Sequence, residues 1–290
     1  MSAAEVRTLL ERHGLAPSRD LGQNFLVDPD LARALVREAG VEAGDRVIEV
    51  GAGLGILTRA LAEVAEHVVS LEIDSGLVRL LEAEAALPGN VSLRHADALQ
   101  TDFAALAAEL DGPAHPVRVV ANLPYSVGSV VLRRVLDVRD SLAGWAVMLQ
   151  KEVAERIVSG PGSRDYGSLS VLHALTTRVQ RTRDLAPRCF YPPPGVTSAF
   201  LRIEPRRDSP LEAGELVRIE RVVRAAFGQR RKTLVNALRG GGLVPALEPD
   251  AIRAALEELG HDPRVRAERL SAEDHLALAR RLQPAAPAAR

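Results

Sequence analysis

The chain contains 290 residues, of which 47% are hydrophobic and 26% are charged, and its formal net charge is −1. This composition predicts a globular protein of one large domain or two ordinary ones, and the near-neutral charge does not by itself indicate a nucleic-acid partner. A single cysteine, Cys189, excludes an internal disulfide framework and a cysteine cluster for zinc.

The sequence also lacks signals for membranes and metals. No apolar run approaches the ~20 residues of a membrane span, and the first residues lack the apolar core of a signal peptide. We therefore expect a cytoplasmic protein. The seven histidines show no spacing typical of metal ligands, so we expect no metal.

Predicted helices and strands alternate along the first part of the chain. The Asp28-Pro29 pair predicts a helix start, because an acidic N-cap and a proline in the first turn favour initiation. Predicted helices occupy residues 31–39, 55–64, 75–87, 103–110 and 130–138. Predicted strands occupy residues 46–50, 68–73, 91–94, 117–121, 145–149 and 198–203. This alternation predicts an α/β fold with a mainly parallel sheet and helices on both faces.

Two changes in composition predict where the first domain ends. Residues 191–195 are too rich in proline for a helix or a central strand, and residues 206–210 are typical of a linker. Helical patterns alone follow the linker. We predict a catalytic domain over residues 1–207 and a small all-α domain over residues 208–290, of which 283–290 are expected to be disordered.

Charge is distributed unevenly along the chain. Residues 41–111 contain thirteen acidic and four basic side chains, whereas residues 178–239 contain fourteen basic and six acidic ones. Arg230, Arg231 and Lys232 form a basic run that is predicted to open a helix, where guanidinium groups and the helix dipole favour phosphate. A solvated helix face is the alternative interpretation.

A glycine-rich turn, EVGAGLG at residues 49–55, joins the first predicted strand to the next helix. Gly51 and Gly53 would let the backbone approach a ligand closely. The third glycine comes one residue too early for a dinucleotide fingerprint, which favours S-adenosylmethionine over NAD. At the ends of the next two strands, Glu72 is placed to accept both ribose hydroxyls and Asp97 to accept the adenine amine of that cofactor. Either acid alone could equally be a solvated strand-end residue.

The strand at residues 117–121 is followed by Asn122-Leu123-Pro124-Tyr125. The Asn122 side-chain oxygen and the Leu123 carbonyl can each accept one hydrogen of an adenine amine, which stabilises the charge that develops as the nitrogen attacks a methyl group. Pro124 would fix the turn, and Tyr125 would stack on a base that has left its helix. An Asx-type turn with a packed tyrosine is the alternative.

Several motifs together resemble the ribosomal RNA adenine dimethyltransferases of the KsgA/Dim type, over residues 19–282. Besides the glycine turn and its acids, they are GQNFL (22–26), QKEVAER (150–156), PGS (161–163), YGSLS (166–170), FYPPPGVTS (190–198) and FGQRRKTL (227–234). The chain departs from the family pattern at residues 195 and 197 of the proline-rich loop, where the family pattern implies an RNA contact. It also departs at residues 126–129, after Tyr125.

The resemblance implies a Rossmann-like domain with a seven-stranded sheet and a helical RNA-binding domain. Asn24 and Leu26, with Gln23 beside them, would border the methionine end of the cofactor, and Asn122 would join the cofactor-binding set. Phe190 would pack against the target base opposite Tyr125, and its proline-rich surroundings argue against an ordinary core position.

The implied activity is the transfer of methyl groups from S-adenosylmethionine to the N6 amine of two adjacent adenines near the 3′ end of 16S rRNA. The implied partner is an immature 30S ribosomal subunit, and nothing in the sequence indicates more than a monomer.

Three alternatives remain open from the sequence. An Erm-type enzyme would methylate 23S rRNA with a similar pocket, but the PGS, YGSLS and RRKTL runs favour the small subunit. A non-catalytic RNA or DNA binding factor could retain the fold, although the complete set of predicted pocket residues argues against it. A small-molecule methyltransferase is disfavoured by the basic carboxy-terminal region.

Overall fold

The fold is described from a computed structural model over residues 1–84, 87–111, 116–124, 127–212, 214–240 and 248–282. Tyr125 and the predicted disordered tail at 283–290 lie outside the described residues. Contacts divide the chain into two units, Met1–Ala154 with Val179–Pro205, and Glu155–Arg178 with Arg206–Arg290. Residues 155–178, which were predicted to belong to the catalytic domain, therefore group with the carboxy-terminal helices.

Most described strands belong to one mixed sheet. The strands are β1 (Phe25–Leu26), β2 (Arg46–Val50), β3 (His67–Glu72), β4 (Val91–His95), β5 (Val117–Asn122), β6 (Gly144–Gln150), β7 (Thr177–Leu185), β8 (Phe190–Tyr191) and β9 (Ser198–Pro205). The seven-stranded sheet has the order β4-β3-β2-β5-β6-β9-β7. Its strands are parallel from β4 to β6, and β9 is antiparallel to β6. The predicted α/β class is confirmed.

Helices connect the parallel strands and build the carboxy-terminal part. They are α1 (Ala3–Arg12), α2 (Pro29–Glu38), α3 (Ile56–Ala62), α4 (Ser75–Ala83), α5 (Phe103–Leu110), α6 (Gly128–Asp137), α7 (Lys151–Val158), α8 (Ser168–Thr176), α9 (Glu215–Phe227), α10 (Leu234–Gly240), α11 (Pro249–Glu258) and α12 (Ala272–Arg281). The Asp28 side chain caps α2, accepting from the backbone nitrogen of Asp30 at 2.9 Å, as its predicted N-cap role requires.

The strand order creates a crevice at one edge of the sheet. From β2 the chain passes to β3 and β4 on one side, and then returns to β5 and β6 on the other. Val50 at the end of β2 pairs with Leu71 of β3 and with Ala121 of β5. The segments that follow these strands therefore emerge side by side, at the kind of switch point where open α/β sheets bind ligands.

Six described elements, α1, α7, α8, β1, β7 and β8, were not predicted from the sequence. The edge strand β7 is charge-rich, and between its two buried end residues it is exposed or half-buried, so it offers no buried run to recognise. Helix α1 begins at a capping box in which the Ser2 hydroxyl accepts from the Glu5 nitrogen at 3.2 Å. That signal depends on only two residues.

The first unit is held by apolar side chains between the sheet and its helices. One cluster joins residues of α2 and α3 to the sheet and includes the fully buried Leu35, Leu61 and Phe200. Burial of this kind contributes about 25 cal/mol for each Å² of apolar surface. In the described residues, no helix is long and apolar enough to cross a membrane.

The second unit has its own packing centre. The ring of Phe227 contacts Tyr166 edge-on, with centroids 5.7 Å apart, and lies 5.3 Å from the His275 ring. Arg280 binds the buried Glu215 carboxylate through two nitrogens, at 3.0 and 2.7 Å. These contacts join α9, α12 and the residues just before α8, and they bring the YGSLS and FGQRRKTL runs together.

Candidate active site

A cavity of about 320 Å³ lies in the first unit at the carboxyl ends of β2, β3, β4 and β5. Nine of the predicted site residues line it: Gln23, Asn24, Gly51, Gly53, Glu72, Asp97, Asn122, Leu123 and Pro124. The topology therefore brings together residues that lie as far apart in the sequence as Gln23 and Pro124.

The glycine turn forms one wall of the cavity. Gly51 and Gly53 have φ values of +86° and +56°, in the left-handed region that side chains disfavour. A Cβ atom at Gly53 would lie 3.2 Å from the Phe25 ring. The backbone of this turn can thus approach a ligand where a side chain would be strained or crowded.

Glu72 is a buried carboxylate at the end of β3. Its Oε2 accepts from the Gly53 nitrogen at 2.8 Å, and its Oε1 accepts from the Asp74 nitrogen at 2.9 Å. Burial raises the pKa of Glu72, while these two amide hydrogen bonds act in the opposite direction. The amides fix the carboxylate in the cavity wall, and each oxygen retains a further lone pair for a ligand hydroxyl.

Asp97 follows β4 and is half-buried in the same wall. Its Oδ1 accepts from the Leu99 nitrogen at 2.8 Å and its Oδ2 from the Gln100 side chain at 3.1 Å. This local turn orients the carboxylate, which keeps acceptor capacity for an amine.

Asn122 ends β5, and its side-chain amide has a defined orientation. Its Nδ2 donates to the backbone carbonyl of Asn24 at 3.1 Å. Because only the amide nitrogen can donate to a carbonyl, Oδ1 is left as the acceptor. Pro124 begins the next turn, and its carbonyl accepts from the Gly128 nitrogen at 2.9 Å. The end of β5 therefore presents a fixed hydrogen-bond acceptor in the cavity wall.

Phe190 and Leu26 lie elsewhere. Neither is among the described residues that line the cavity. Strands β1 and β8 pair so that Leu26 faces Phe190, and the two side chains are only 5% and 3% exposed, within an apolar cluster. Phe190 was expected to lie outside the core, but in the structure it is buried. Pairing of β8 with β1 directs its ring inward before the proline-rich loop begins.

The cavity also has apolar walls that the sequence analysis did not single out. Ile73 directly follows Glu72 and is 45% exposed, although most residues of its type are buried. Leu99 and Val131 complete this wall. An apolar residue directly after a strand-end acid was the available signal, and apolar side chains of this kind suit the face of a ring.

A second acid lies behind the glycine turn. Glu49 of β2 is fully buried, and its Oε2 accepts from the Ser70 hydroxyl at 2.6 Å. Burial raises the pKa of Glu49 to about 8. The carboxyl group is therefore protonated in the folded protein at neutral pH.

The raised pKa of Glu49 makes folding stability depend on pH. Because the folded protein holds a proton that the unfolded chain releases near pH 4.5, the free energy of unfolding falls as pH rises from about 5 to about 8, by up to ~1.4 kcal/mol per pH unit. The Glu49→Gln variant has no carboxyl group at this position, so its free energy of unfolding is expected to lack this pH dependence. Urea unfolding of both proteins at several pH values measures it, and parallel pH profiles would contradict the assignment.

The predicted RNA-binding residues belong to the second unit. Arg230, Arg231 and Lys232 are exposed and lie in the turn between α9 and α10, so they precede a helix at Leu234 rather than open it. Arg230 donates to the Arg164 carbonyl at 2.5 Å.

A third segment adds a further positive charge to this surface. The Gly162 nitrogen donates to the Glu268 carbonyl at 2.7 Å, and the Arg269 guanidinium lies 3.5 Å from the position of a Cβ at Gly162. We call the exposed side chains from these three segments the basic cluster, which comprises Arg164, Arg230, Arg231, Lys232 and Arg269. Within the ranges described, no group of three or more His, Cys, Asp or Glu side chains could hold a metal ion.

Comparison with known proteins gives full-length similarities. The family model described as "Ribosomal RNA adenine dimethylase" matches residues 16–283. A protein of Mesorhizobium japonicum named "Ribosomal RNA small subunit methyltransferase A" is 44% identical over 94% of this chain and 96% of its own length. A protein of the same name from Magnetococcus marinus is 41% identical and covers 96% of each chain.

Two crystal structures share the fold. A dimethyladenosine transferase from Plasmodium falciparum aligns with a TM-score of 0.72 at 24% identity, over 88% of this chain and 95% of that one. The 23S rRNA methyltransferase ErmE aligns with a TM-score of 0.63 at 27% identity, over 89% and 99%. The relatives named for the small subunit are thus more similar in sequence than ErmE.

Proposed function

Because the chain belongs to the ribosomal RNA adenine dimethylase family, we propose that it dimethylates the N6 amine of two adjacent adenines near the 3′ end of 16S rRNA, with S-adenosylmethionine as the methyl donor. The proposed substrate is the RNA of an immature 30S subunit in the cytoplasm, and the proposed acting species is a monomer. The observation that carries this proposal is the fixed orientation of Asn122 on the same cavity as Glu72 and Asp97.

The cavity walls suit S-adenosylmethionine. The buried Glu72 carboxylate would accept the ribose hydroxyls, and Asp97 would accept the adenine amine. Ile73 and Leu99 supply apolar surface for the adenine ring, while the glycine turn leaves room for close backbone approach. When bound, the cofactor supplies an electrophilic methyl group on a positively charged sulfur.

The end of β5 would hold the target amine. The Asn122 Oδ1 accepts one N6 hydrogen and the Leu123 carbonyl accepts the other, which draws the nitrogen lone pair out of the adenine ring. Both acceptors favour the positive charge that develops on N6 during attack. Pro124 keeps the second carbonyl in place, and Tyr125 would stack on the base.

No side chain is needed as a general base. After methyl transfer the amine carries a positive charge and becomes acidic enough to lose its proton to water. A second transfer requires that the cavity readmit the monomethylated amine with only one N6 hydrogen. Space beside Asn122 therefore matters as much as hydrogen bonding.

The basic cluster would bind RNA phosphates. Its side chains come from three segments, and Arg230 is held by the Arg164 carbonyl. Planar guanidinium groups pair well with phosphate oxygens, and such contacts position RNA without reading its sequence.

Replacing Arg231 and Lys232 by alanine is expected to weaken RNA binding and to lower the slope of log affinity against log salt by about 0.7 to 0.9 for each lost phosphate contact. A double Arg253→Ala, Arg281→Ala variant is the matched control, because both arginines are exposed and paired with acids in the same unit. Filter binding at several salt concentrations measures the effect. An unchanged slope in the first variant would remove the basic cluster from the RNA contact.

The substrate is tested with methyl-labelled S-adenosylmethionine. Label is expected in the RNA of immature 30S particles and not in naked 23S rRNA. Label only in 23S rRNA would contradict the proposal and would favour an Erm-type activity instead. Absence of label in either RNA, with cofactor bound, would favour a non-catalytic binding factor.

A further inference from the structure

The side chain of Gln23 is engaged at both ends. Its Oε1 accepts from the Ser18 nitrogen at 2.7 Å, and its Nε2 donates to Asp74 Oδ2 at 2.9 Å. The Gln23 nitrogen also donates to the Ser18 carbonyl at 3.0 Å. Gln23 therefore closes the loop at residues 18–24, here called the N-terminal loop, and joins it to the start of α4.

Asp74 is itself firmly held. Its Oδ1 caps α4, accepting from the Gly76 nitrogen at 2.8 Å, and its backbone nitrogen donates to Glu72 at 2.9 Å. The second carboxylate oxygen remains for Gln23. Asp74 is thus a fixed anchor, and the N-terminal loop is the part that it positions.

The residue after Gln23 reaches the proposed reaction centre. The Asn24 carbonyl accepts from Asn122 Nδ2 at 3.1 Å, and the Asn24 side chain donates to the Gly22 carbonyl at 3.0 Å. The Asn24 carbonyl binds the nitrogen of the Asn122 amide, so the amide oxygen faces away from it. A shift of the N-terminal loop would break this hydrogen bond and let the amide rotate.

We infer that Gln23 and Asp74 are positioning residues for methyl transfer, and that their hydrogen bond holds the Asn24 carbonyl where it orients Asn122. This inference rests on the proposed function, since it concerns the same cavity. It also gives Gln23 a task different from the cofactor contact that the family resemblance implies. Each polar atom of the Gln23 amide has a protein partner.

The pair can be tested by exchanging its polarity. Gln23→Glu sets two carboxylates against each other, and Asp74→Asn sets two amide nitrogens against each other while keeping an equally good helix cap. In the double variant, the new glutamate accepts from the Ser18 nitrogen and from the new asparagine amide. Complementary bonding is then restored with donor and acceptor reversed.

Each single variant is expected to lower kcat by about 10- to 100-fold, because small displacements of reacting groups have effects of that size. The double variant is expected to recover most of the loss. Asp102→Asn is the matched control, because Asp102 caps α5 in the same way and does not line the cavity. Its kcat should equal that of the unchanged protein.

Hydrogen exchange of the Ser18 and Gln23 amides, without cofactor or RNA, supplies a readout that does not depend on activity. Exchange should accelerate in both single variants and slow again in the double variant. Faster exchange with unchanged kcat in the single variants would overturn the positioning role. A double variant whose kcat does not exceed that of the less active single variant would also overturn it. Absence of transfer by the unchanged protein would overturn the proposed function as well.

Discussion

Asn122→Ala is expected to lower kcat for methyl transfer by about 100- to 1,000-fold, the usual effect of removing one group that stabilises charge in a transition state. The variant loses the Oδ1 acceptor and also the bond to the Asn24 carbonyl. Binding of S-adenosylhomocysteine should largely survive, because Glu72 and the glycine turn are unchanged. Single-turnover transfer and calorimetric titration measure the two effects separately.

Asn90→Ala provides the matched control for Asn122→Ala. The Asn90 amide donates to the carbonyls of Ala62 and Ala65 at 3.1 Å each and does not line the cavity. Its loss should reduce the free energy of unfolding by about 1–3 kcal/mol through unpaired carbonyls, with little change in kcat. Unchanged turnover in Asn122→Ala would remove the proposed handling of the target amine.

Glu72→Gln is expected to weaken binding of S-adenosylhomocysteine by at least ~100-fold, because two hydrogen bonds to a charged group contribute about 3 kcal/mol or more. The amide also turns a donor toward Gly53 or Asp74, whose nitrogens both donate to Glu72 now. Glu82→Gln, on the exposed face of α4, should bind normally. Calorimetric titration with S-adenosylhomocysteine, without RNA, measures the affinity of all three proteins.

Lowering the pH should weaken cofactor binding by the unchanged protein through protonation of Glu72. The Glu72→Gln variant should lack this pH dependence. Because burial raises the pKa of Glu72, the unchanged protein takes up a proton there at a higher pH than an ordinary glutamate would. Protonation removes acceptor capacity, so affinity falls as pH is lowered through this pKa. Equal pH profiles for the two proteins would show that Glu72 does not hold the ribose.

The predicted family and fold class are confirmed, and the strand-end residues explain why they could be inferred from sequence. Parallel strands place their carboxyl ends at one edge, so Glu72, Asp97 and Asn122 converge once the strands are located. Each would act through its own side chain, at a position that the local pattern defines. Such residues can be found without knowing which elements touch.

Other features of the structure depend on contacts between distant segments. Phe190 is buried because β8 pairs with β1, which no local pattern reveals. Gln23 donates a hydrogen bond to Asp74, fifty-one positions away, and the basic cluster combines side chains from three segments of the second unit. Composition around Phe190 predicted a solvent-bordering loop, but pairing with another strand decided where the ring lies.

Product analysis is the most direct test of the proposal that Asn122 holds N6 of adenine. RNA from immature 30S particles is methylated by the protein, digested to nucleosides and examined by mass spectrometry. The expected product is N6,N6-dimethyladenosine at two adjacent positions near the 3′ end, absent with Asn122→Ala. Methyl groups on a ring nitrogen, on ribose or on another base would contradict this role of Asn122.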